Sequence, residues 1–374
     1  MYKKAVFFFI TFMLFLKAAH SMVKIDQIDG LNLNFKVYLD SYVKSKKSNN
    51  VIDFKKSKLG FSYSFDNELD FVTTLLYTKN NKFEFDQEFF NYNINNHSFI
   101  SLGNIRTIFD MYFEKSEDHL SIVIPVINKA TGFFVKTKGL GFIYKNNFSD
   151  GLSFHVSAVG KNINDSSDDS GVLTLRTFYF KENEDNVIHL GLNNSFIYND
   201  KKKKEDKEIN NIYYGFGIKR LNSTGLEFAS RLKNFTLESG IFYVKMNPFI
   251  EELKGKYFDF YNFYSEFNYV LTGEVKNYEK INGVIKKLKV KNPVDKGGIG
   301  TFETVARYQF TNAIANRSNY SLDMGRHKIL LLGFNWLPTD YCKVLLNYSN
   351  IKSYYKVKGN VNNDEFKIEY RFFL

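Results

Sequence analysis

The last ten residues of the chain alternate between apolar and charged side chains. In the segment 365–374, EFKIEYRFFL, every even position is apolar or aromatic, and the odd positions up to 371 are charged. A period of two places one kind of side chain on each face of a β-strand. A soluble β-sandwich shows the same alternation, but a chain that ends on an aromatic strand is more typical of an outer-membrane β-barrel, whose outer face meets lipid. Ten such residues tilted by about 40° rise roughly 25 Å, which matches the apolar band of these barrels.

The same alternation recurs along the chain and predicts sixteen strands, and a closed single-chain barrel requires an even number. Pro125, Pro248, Pro293 and Pro338 fall between the predicted strands, as expected for residues that cannot donate to a β-ladder. The sequence therefore predicts an all-β fold, a 16-stranded antiparallel transmembrane β-barrel. The predicted strands span residues 31–43, 55–65, 68–78, 82–92, 97–104, 134–145, 151–160, 171–181, 187–199, 225–233, 236–246, 258–272, 301–311, 328–336, 342–351 and 364–374.

The N-terminus has the pattern of a secretory signal. Two lysines precede an apolar run over residues 5–16, and the small residues Ala19 and Ser21 follow at the spacing of a cleavage site. We expect residues 1–21 to be a signal peptide and residues 22–374 to form one barrel domain in the outer membrane of a bacterium. The apolar run is too short to cross a bilayer as a helix and no later run is longer, so we expect no transmembrane helix in the mature chain.

Charge and composition exclude several classes of function. The formal net charge of +11 becomes +8 without residues 1–21, which hold three lysines and no acid. A basic protein binds nucleic acid, acidic lipid or small anions, and export argues against nucleic acid. The single cysteine, Cys342, excludes a disulfide framework, and the six histidines are scattered without metal-ligand spacing. No histidine has a local nucleophile motif, so we predict no enzyme. No glycine-rich phosphate loop or metal-ligand spacing is present in the sequence, so we predict no cofactor and no metal.

Three connections between the predicted strands are longer than a tight turn requires. With the C-terminus placed in the periplasm, residues 105–133 and 200–224 become the third and fifth outer loops, and residues 273–300 become a long turn on the periplasmic side. Long ordered segments of a compact fold tend to carry function, and in a barrel the lumen is the place where they fold. We therefore expect the 273–300 turn to enter the lumen.

Several runs of the sequence resemble one family of porins. The runs NFYSEFNYVLTGEVKNY (262–278), TFETVARYQF (301–310) and LLGFNWLPTDYCKVLLNYSNI (331–351) lead into the closing aromatic strand, and KSKLGFSYSFDNELDF, HSFISLGNIRTIF and LRTFYFKENEDNVIHLGLNNSF fit more loosely. As an ordered set they resemble the phosphate-selective porin O and P family. The resemblance implies a homotrimeric porin that passes small anions such as phosphate, with the third and fifth outer loops and one periplasmic turn folded inward and carrying basic residues.

The third outer loop departs from this pattern. Residues 105–133 have a net charge of −1, whereas residues 273–300 hold seven lysines against three acids, a net charge of +4. Because cations that line a wet lumen lower the barrier for anions, we expect the turn to supply most of the anion preference. The candidate pore-lining residues are Lys276, Lys280, Lys286, Lys287, Lys289 and Lys291 of the turn, Lys219 and Arg220 of the fifth loop, Arg106 of the third loop, and Arg231, Arg307 and Arg371 on the inner face of strands.

Strand parity places further charges on the inner face and leaves two alternatives open. Opposite charges on neighbouring strands commonly pair, so ion pairing competes with an anion-binding role for each inward cation. The second alternative is a non-selective or loop-plugged barrel that acts as a surface antigen or binding protein. On the outer face the alternation predicts outer-membrane lipid as the partner. The remaining inward charges are Lys36, Lys58, Arg176, Lys343, Lys367, Glu227, Glu266, Glu303, Glu365 and Glu369.

Overall fold

The structure is a computed structural model of the chain. It describes residues 31–44, 51–66, 68–78, 82–115, 119–122, 138–148, 151–164, 170–199, 218–248, 258–317, 320–355 and 359–373. The predicted signal peptide, Pro125 and the lysine run 201–204 lie outside these residues.

The described residues form sixteen barrel strands, a small internal hairpin and two short helical turns. The first eight barrel strands are β1 (Leu31–Lys44), β2 (Val51–Ser64), β3 (Leu69–Thr78), β4 (Phe83–Asn95), β5 (Ser98–Arg106), β6 (Lys138–Asn147), β7 (Leu152–Val159) and β8 (Ser170–Glu182). The other eight are β9 (Asn186–Asn199), β10 (Ile218–Leu232), β11 (Phe235–Pro248), β12 (Phe258–Val270), β15 (Thr301–Arg317), β16 (Tyr320–Thr339), β17 (Cys342–Tyr355) and β18 (Gly359–Phe373). The hairpin and the helical turns are β13 (Tyr278–Glu279), β14 (Val284–Ile285), α1 (Met111–Glu114) and a 3-10 turn (Val294–Lys296).

The sixteen strands form one closed antiparallel barrel, which confirms the predicted fold. Each strand pairs with its neighbours in chain order, and β12 pairs directly with β15 across the hairpin. The ring closes where β1 pairs with β18, with Leu39 opposite Tyr370. The end of the barrel at which β18 finishes is the periplasmic end in the orientation predicted above.

The predicted boundaries of the tenth strand were wrong. β10 begins at Ile218 and not at residue 225, so Lys219 and Arg220 belong to the barrel wall and not to the fifth outer loop. Both side chains are exposed, and the Arg220 guanidinium lies 5.9 Å from the centroid of the Tyr198 ring on the neighbouring strand. β10 extends this far because it pairs regularly with β9 up to Arg220, which lies opposite Tyr198.

Two prolines also lie within strands, contrary to the prediction. Pro248 is the last residue of β11, and Pro338 lies one residue before the end of β16. The pairing of β16 with β17 is irregular between Trp336 and Thr339, so the ladder requires no amide proton from residue 338. Pro293 lies in the connection between β12 and β15, as predicted.

The two faces of the wall differ as the alternation predicted. In β16, Ile329 and Leu331 are buried, while Leu330 and Leu332 are 44% and 48% exposed. Every second residue of β7 and of β12 is buried in the same way. The inner residues therefore pack against chain inside the barrel, and the outer residues form an apolar surface. In the described part of the chain, no helix is long and apolar enough to cross a membrane.

Two inserts from opposite ends of the barrel fill part of its interior. The loop insert is the described part of the third outer loop, residues 107–115 and 119–122, and it contains α1. The turn insert is residues 271–300 between β12 and β15, and it contains the β13–β14 hairpin. Tyr278 and Ile285 of the hairpin are buried in one apolar cluster with wall residues of β8 and with α1. The prediction that the turn enters the lumen is therefore confirmed.

Apolar contacts hold each insert against a different part of the wall. Phe109 of the loop insert packs on Phe242 of β11, with 5.3 Å between the ring centroids. In the turn insert, Leu288 and Val290 are buried with Leu337 of β16. Burying apolar area stabilises each contact by roughly 25 cal/mol per Å² removed from water.

Candidate functional site

The inserts leave one side of the lumen open. No residue of β3 is buried, whereas alternate residues of β7, β12 and β17 are. A cavity of about 390 Å³ lies on this open side, between the inner faces of β3 to β6 and the ends of the two inserts. This cavity is the candidate path for a solute. Polar residues that line it include Asp70, Gln87, Asn91, Arg106, Lys145 and Asn282.

A group of charges, here called the Asp86 cluster, lines the wall beside this cavity. Asp86 Oδ2 lies 2.8 Å from Lys58 Nζ and 2.6 Å from Arg106 Nη2. Lys138 Nζ lies 3.7 Å from Asp86 Oδ1 and 3.7 Å from Glu84 Oε2. Three cations therefore face two carboxylates, and the cluster keeps one net positive charge. Arg106 is its most accessible cation, with 35% of its side chain exposed. It is the last residue of β5, so it belongs to the barrel wall and not to the third outer loop as predicted.

The loop insert is fixed to the wall by buried charges. Lys115 forms an ion pair with Glu238 of β11, and both side chains are almost fully buried. At the other end of the insert, Lys343 Nζ and Arg371 Nη1 donate to the carbonyl oxygen of Leu120 at 2.9 and 3.0 Å. These wall cations hold protein groups, so they are not displayed to a passing solute.

The tip of the turn insert rests on one guanidinium group. Arg176 of β8 donates from Nη1 to the carbonyl oxygen of Asn282 at 2.7 Å and from Nη2 to that of Gly283 at 3.1 Å. Its Nε donates to Glu227 Oε1 of β10 at 2.7 Å. Gly283 has a φ of +60°, and a Cβ at this position would lie 2.6 Å from the ring of Phe178. Position 283 therefore requires glycine, which adopts a positive φ freely and has no Cβ to clash with the wall.

Two further polar contacts secure the hairpin. The Tyr278 hydroxyl lies 2.6 Å from His189 Nδ1 of β9. Burial raises the pKa of the Tyr278 phenol well above its usual value, so the hydroxyl stays neutral. Lys145 Nζ of β6 donates at 2.6 Å both to Asn282 Oδ1 and to Glu114 Oε2. This ammonium group therefore joins the wall, the turn insert and the loop insert.

The stem of the turn insert belongs to a buried polar network. Lys276 forms an ion pair with Glu303 of β15, and its Nζ donates to Ser121 Oγ of the loop insert at 2.8 Å. Asn335 Nδ2 of β16 donates to Glu303 Oε2 at 2.8 Å. Arg231 Nη1 of β10 donates to the carbonyl oxygen of Lys276 at 2.7 Å. The network connects both inserts to three strands.

Three of the predicted turn lysines are paired with acids. Lys276 is the buried partner just described, Lys280 Nζ lies 3.5 Å from Glu182 Oε2, and Lys286 Nζ lies 2.9 Å from Glu279 Oε1. Burial opposes ionisation of Glu279, but hydrogen bonds from Lys286 and a neighbouring amide outweigh it and lower the pKa of this carboxyl. Neighbouring carboxylates therefore offset part of the positive charge of these lysines.

The other three predicted turn lysines lie toward the periplasmic end. Lys287 Nζ lies 5.1 Å from the centroid of the Phe373 ring at the end of β18. Lys289 and Lys291 are exposed and alternate with buried apolar residues. Of the turn insert, Asn282 lines the cavity, and no lysine of the insert does so.

The predicted strand arginines all face the barrel interior. Arg231, Arg307 and Arg371 are each about 3–4% exposed. Arg307 Nη1 lies 3.1 Å from Glu266 Oε2 on the adjacent strand, and Arg371 pairs with Glu369 on its own strand. The cross-strand pairing considered from the sequence is therefore what the structure shows for Arg307, whereas Arg371 is paired within its own strand.

Sequence reasoning missed Asp86, Lys138 and Lys145. Asp86 was missed because it lies at a β-bulge. The ladder between β3 and β4 pairs residues 85 and 87 and skips residue 86, so strand parity gives no reliable face there. Lys138 begins β6, four residues after the predicted start of that strand. Lys145 is buried on the inner face of β6, whereas the sequence places it at the last position of the predicted strand, beside a turn.

A closed sixteen-stranded barrel with an outer loop and a periplasmic turn folded into a charged lumen defines the class of outer-membrane porins. A family model described as phosphate-selective porin O and P matches residues 38–372. The chain therefore belongs to the phosphate-selective porin O and P family, whose members are channels of the bacterial outer membrane. No curated protein sequence matches the chain.

Solved structures of other porins share the fold. The in-vitro folded trimer form of OmpT from Vibrio cholerae has a TM-score of 0.58 at 10% identity and covers 92% of this chain and 99% of its own. An anion-selective porin from Comamonas acidovorans has a TM-score of 0.53 at 10% identity, with 92% and 99% covered. Salmonella typhi OmpF in complex with daunomycin has a TM-score of 0.56 at 14% identity, with 93% and 99% covered. At these identities the likeness shows the fold alone.

Proposed function

We propose that the protein is a channel through which small anions, phosphate among them, diffuse passively. The observation that carries the anion preference is the Asp86 cluster, in which three cations face two carboxylates beside the cavity. A net positive charge beside a wet path lowers the energy of anions and raises that of cations. The family match and the likeness to a porin described as anion-selective support the same preference.

The proposed path has basic groups at two points along it. The Asp86 cluster, through Arg106, acts on the solute within the cavity, and Lys289 and Lys291 act at the periplasmic mouth. We propose that the cluster supplies the larger part of the preference, because three of the six candidate turn lysines are ion-paired and no lysine of the turn insert lines the cavity. This assignment differs from the expectation based on net charge alone.

Export by a signal peptide and assembly as a homotrimer are part of the same proposal. The N-terminal pattern of residues 1–21 supports export. The family and the trimer form of Vibrio cholerae OmpT support the assembly. A native mass of three chains in detergent is expected, and a mass of one chain would refute the trimer.

Replacing Asp86 with asparagine is expected to increase the anion preference. The change removes one negative charge at ~8 Å from the path, worth about 0.5 kcal/mol in water, so the chloride-to-potassium permeability ratio rises roughly two- to fivefold. The reversal potential of single channels in a potassium chloride gradient measures this ratio. Arg106→Gln should move it in the opposite direction. Both shifts should shrink at high salt, where the Debye length falls from about 10 Å at 0.1 M to about 3 Å at 1 M.

Two matched variants show whether the effect belongs to the cluster. Asp364→Asn removes a carboxylate that is bonded to Tyr348 and Asn350 on the outer face of the barrel, and it should leave the reversal potential unchanged. The quadruple variant of Lys286, Lys287, Lys289 and Lys291 to glutamine should move the potential toward the cation side by less than Arg106→Gln does. A larger shift from the quadruple variant would assign the preference to the turn insert.

A loop-plugged barrel is the second candidate function. The observation in its favour is that the two inserts bury the inner residues of β7, β12 and β17. A plugged barrel would act as a surface antigen or binding protein and would show no conductance. Planar-bilayer recording separates the two candidates.

A further inference from the structure

One buried ion pair on the barrel wall contacts both inserts. Arg176 holds the carbonyl groups of Asn282 and Gly283 at the tip of the turn insert. Its partner Glu227 accepts through Oε1 from Arg176 Nε at 2.7 Å and through Oε2 from the backbone amide of Met111 at 2.5 Å. Met111 is the first residue of α1 in the loop insert. The pair therefore joins the two inserts at the point where they meet.

We propose that Arg176 and Glu227 are positioning residues that seat both inserts and so set the bore of the channel and the size limit of its solutes. The proposal rests on the channel class and is independent of the anion preference. Both side chains are fully buried, with an exposure of 0%. A buried ion pair is tolerated when its remaining donors and acceptors are satisfied, and here backbone groups of the inserts satisfy them.

Most of the other described anchors of the inserts act away from the hairpin tip. The loop insert is also held at Lys115 and at Leu120, and the turn insert is also held at Lys276 and at Val290. None of these four anchors reaches the hairpin tip. Lys145 does reach it, but it bonds the side chain of Asn282, which lines the cavity, whereas Arg176 bonds the backbone of the tip. The Arg176–Glu227 pair is therefore placed to control how far the tip and α1 project into the open side of the lumen.

Loss of the pair should release the tip toward water. Without it, the amide of Met111 and the carbonyl groups of Asn282 and Gly283 would be buried without partners, which is costly for each group. Water in the adjacent lumen can hydrate these groups once the tip moves away from the wall. The apolar cluster of Met111, Tyr278 and Ile285 and the bond from Lys145 to the Asn282 side chain limit this motion, but neither supplies a partner to the freed backbone groups.

The test compares two neutral double variants of the full-length protein. Arg176→Met/Glu227→Leu removes both charges together, so no lone charge is left buried. Lys367→Met/Glu365→Leu is the matched control. It likewise removes both charges of an ion pair on the inner wall, and here the two residues lie on one strand, β18, with 2.8 Å between Lys367 Nζ and Glu365 Oε2. The readouts are single-channel conductance, exclusion of neutral polyethylene glycols of increasing size, and trypsin cleavage at Lys280 and Lys286. Neutral polymers report the bore independently of anion preference.

The first variant is expected to conduct roughly twofold more current, because conductance follows the open cross-section. It should also admit larger polymers and be cut faster by trypsin, while the control matches the wild type in all three readouts. Heat-modifiable gel mobility verifies that each barrel is folded. A folded variant with wild-type conductance and polymer limit would overturn the proposal.

The milder change Glu227→Gln provides a second, independent test. It preserves the shape of the side chain and weakens both hydrogen bonds that Glu227 accepts, so an intermediate rise in conductance and cleavage is expected. If the double variant fails to fold, this variant decides the question. Unchanged conductance and cleavage in folded Glu227→Gln would then overturn the proposal.

Discussion

A barrel with arginine in place of Leu332 is expected to be about 2–4 kcal/mol less stable than the wild type, the cost of an arginine facing lipid near the bilayer midplane. Leu332 is 48% exposed on the outer face of β16, opposite Ala306 and Tyr348 of the neighbouring strands. Urea unfolding of the protein in phospholipid vesicles measures the loss. Its single tryptophan, Trp336, lies on the same strand and provides the fluorescence signal.

The matched control places the same side chain on the inner face. Gln87 of β4 lines the cavity, so the arginine of Gln87→Arg can keep its charge in water. We expect this variant to lose less than about 1 kcal/mol, as substitutions on the lumen side of a barrel tune selectivity more than stability. Equal losses in the two variants would contradict the assignment of outer and inner faces.

Replacing Glu303 with alanine is expected to destabilise the barrel by about 3–5 kcal/mol, because breaking a buried ion pair leaves an uncompensated charge. The Glu303 side chain has an exposure of 0%, pairs with Lys276, and accepts from Ser121 Oγ at 3.0 Å and Asn335 Nδ2 at 2.8 Å. Its loss removes the link between the stem of the turn insert, the loop insert and the wall. Urea unfolding in vesicles measures the cost.

Glu365→Ala is the control for this prediction. Glu365 pairs with Lys367 at 2.8 Å on the inner face of β18, with 16% of its side chain exposed. The Lys367 side chain is 8% exposed, so this pair is less enclosed than that of Glu303 with Lys276, and we expect its loss to cost less, about 1–2 kcal/mol. If Glu303→Ala costs as little as Glu365→Ala, the buried network does not hold the inserts in place.

The fold was predictable from sequence because one physical pattern repeats in every strand. The alternation in residues such as Ile329 to Leu332 shows which face is buried, and the even number of strands follows from closure of the ring. Strand boundaries were less predictable. The length of β10 depends on how far it pairs with β9, and the alternation within β10 alone does not reveal this. Pro338 was predicted to lie outside a strand, because the irregular pairing of β16 with β17 that tolerates it is not visible in the sequence of β16 alone.

The site was predictable in outline and not in detail. Charge and length identified the turn insert, and its entry into the lumen followed. Lys276 pairs with Glu303 and Lys280 pairs with Glu182, both acids outside the turn, so net charge over the segment overstated the charge that the turn displays. Asp86 organises the cluster from a β-bulge, where the period of two no longer assigns a face.

Single-channel recording of the wild-type protein in planar bilayers tests the central claim most directly. A water-filled, anion-preferring porin should give discrete conductance steps, with a reversal potential on the anion side in a potassium chloride gradient. Steps that reverse on the cation side would contradict the preference assigned to the Asp86 cluster. The absence of steps from correctly folded protein would contradict the open lumen itself.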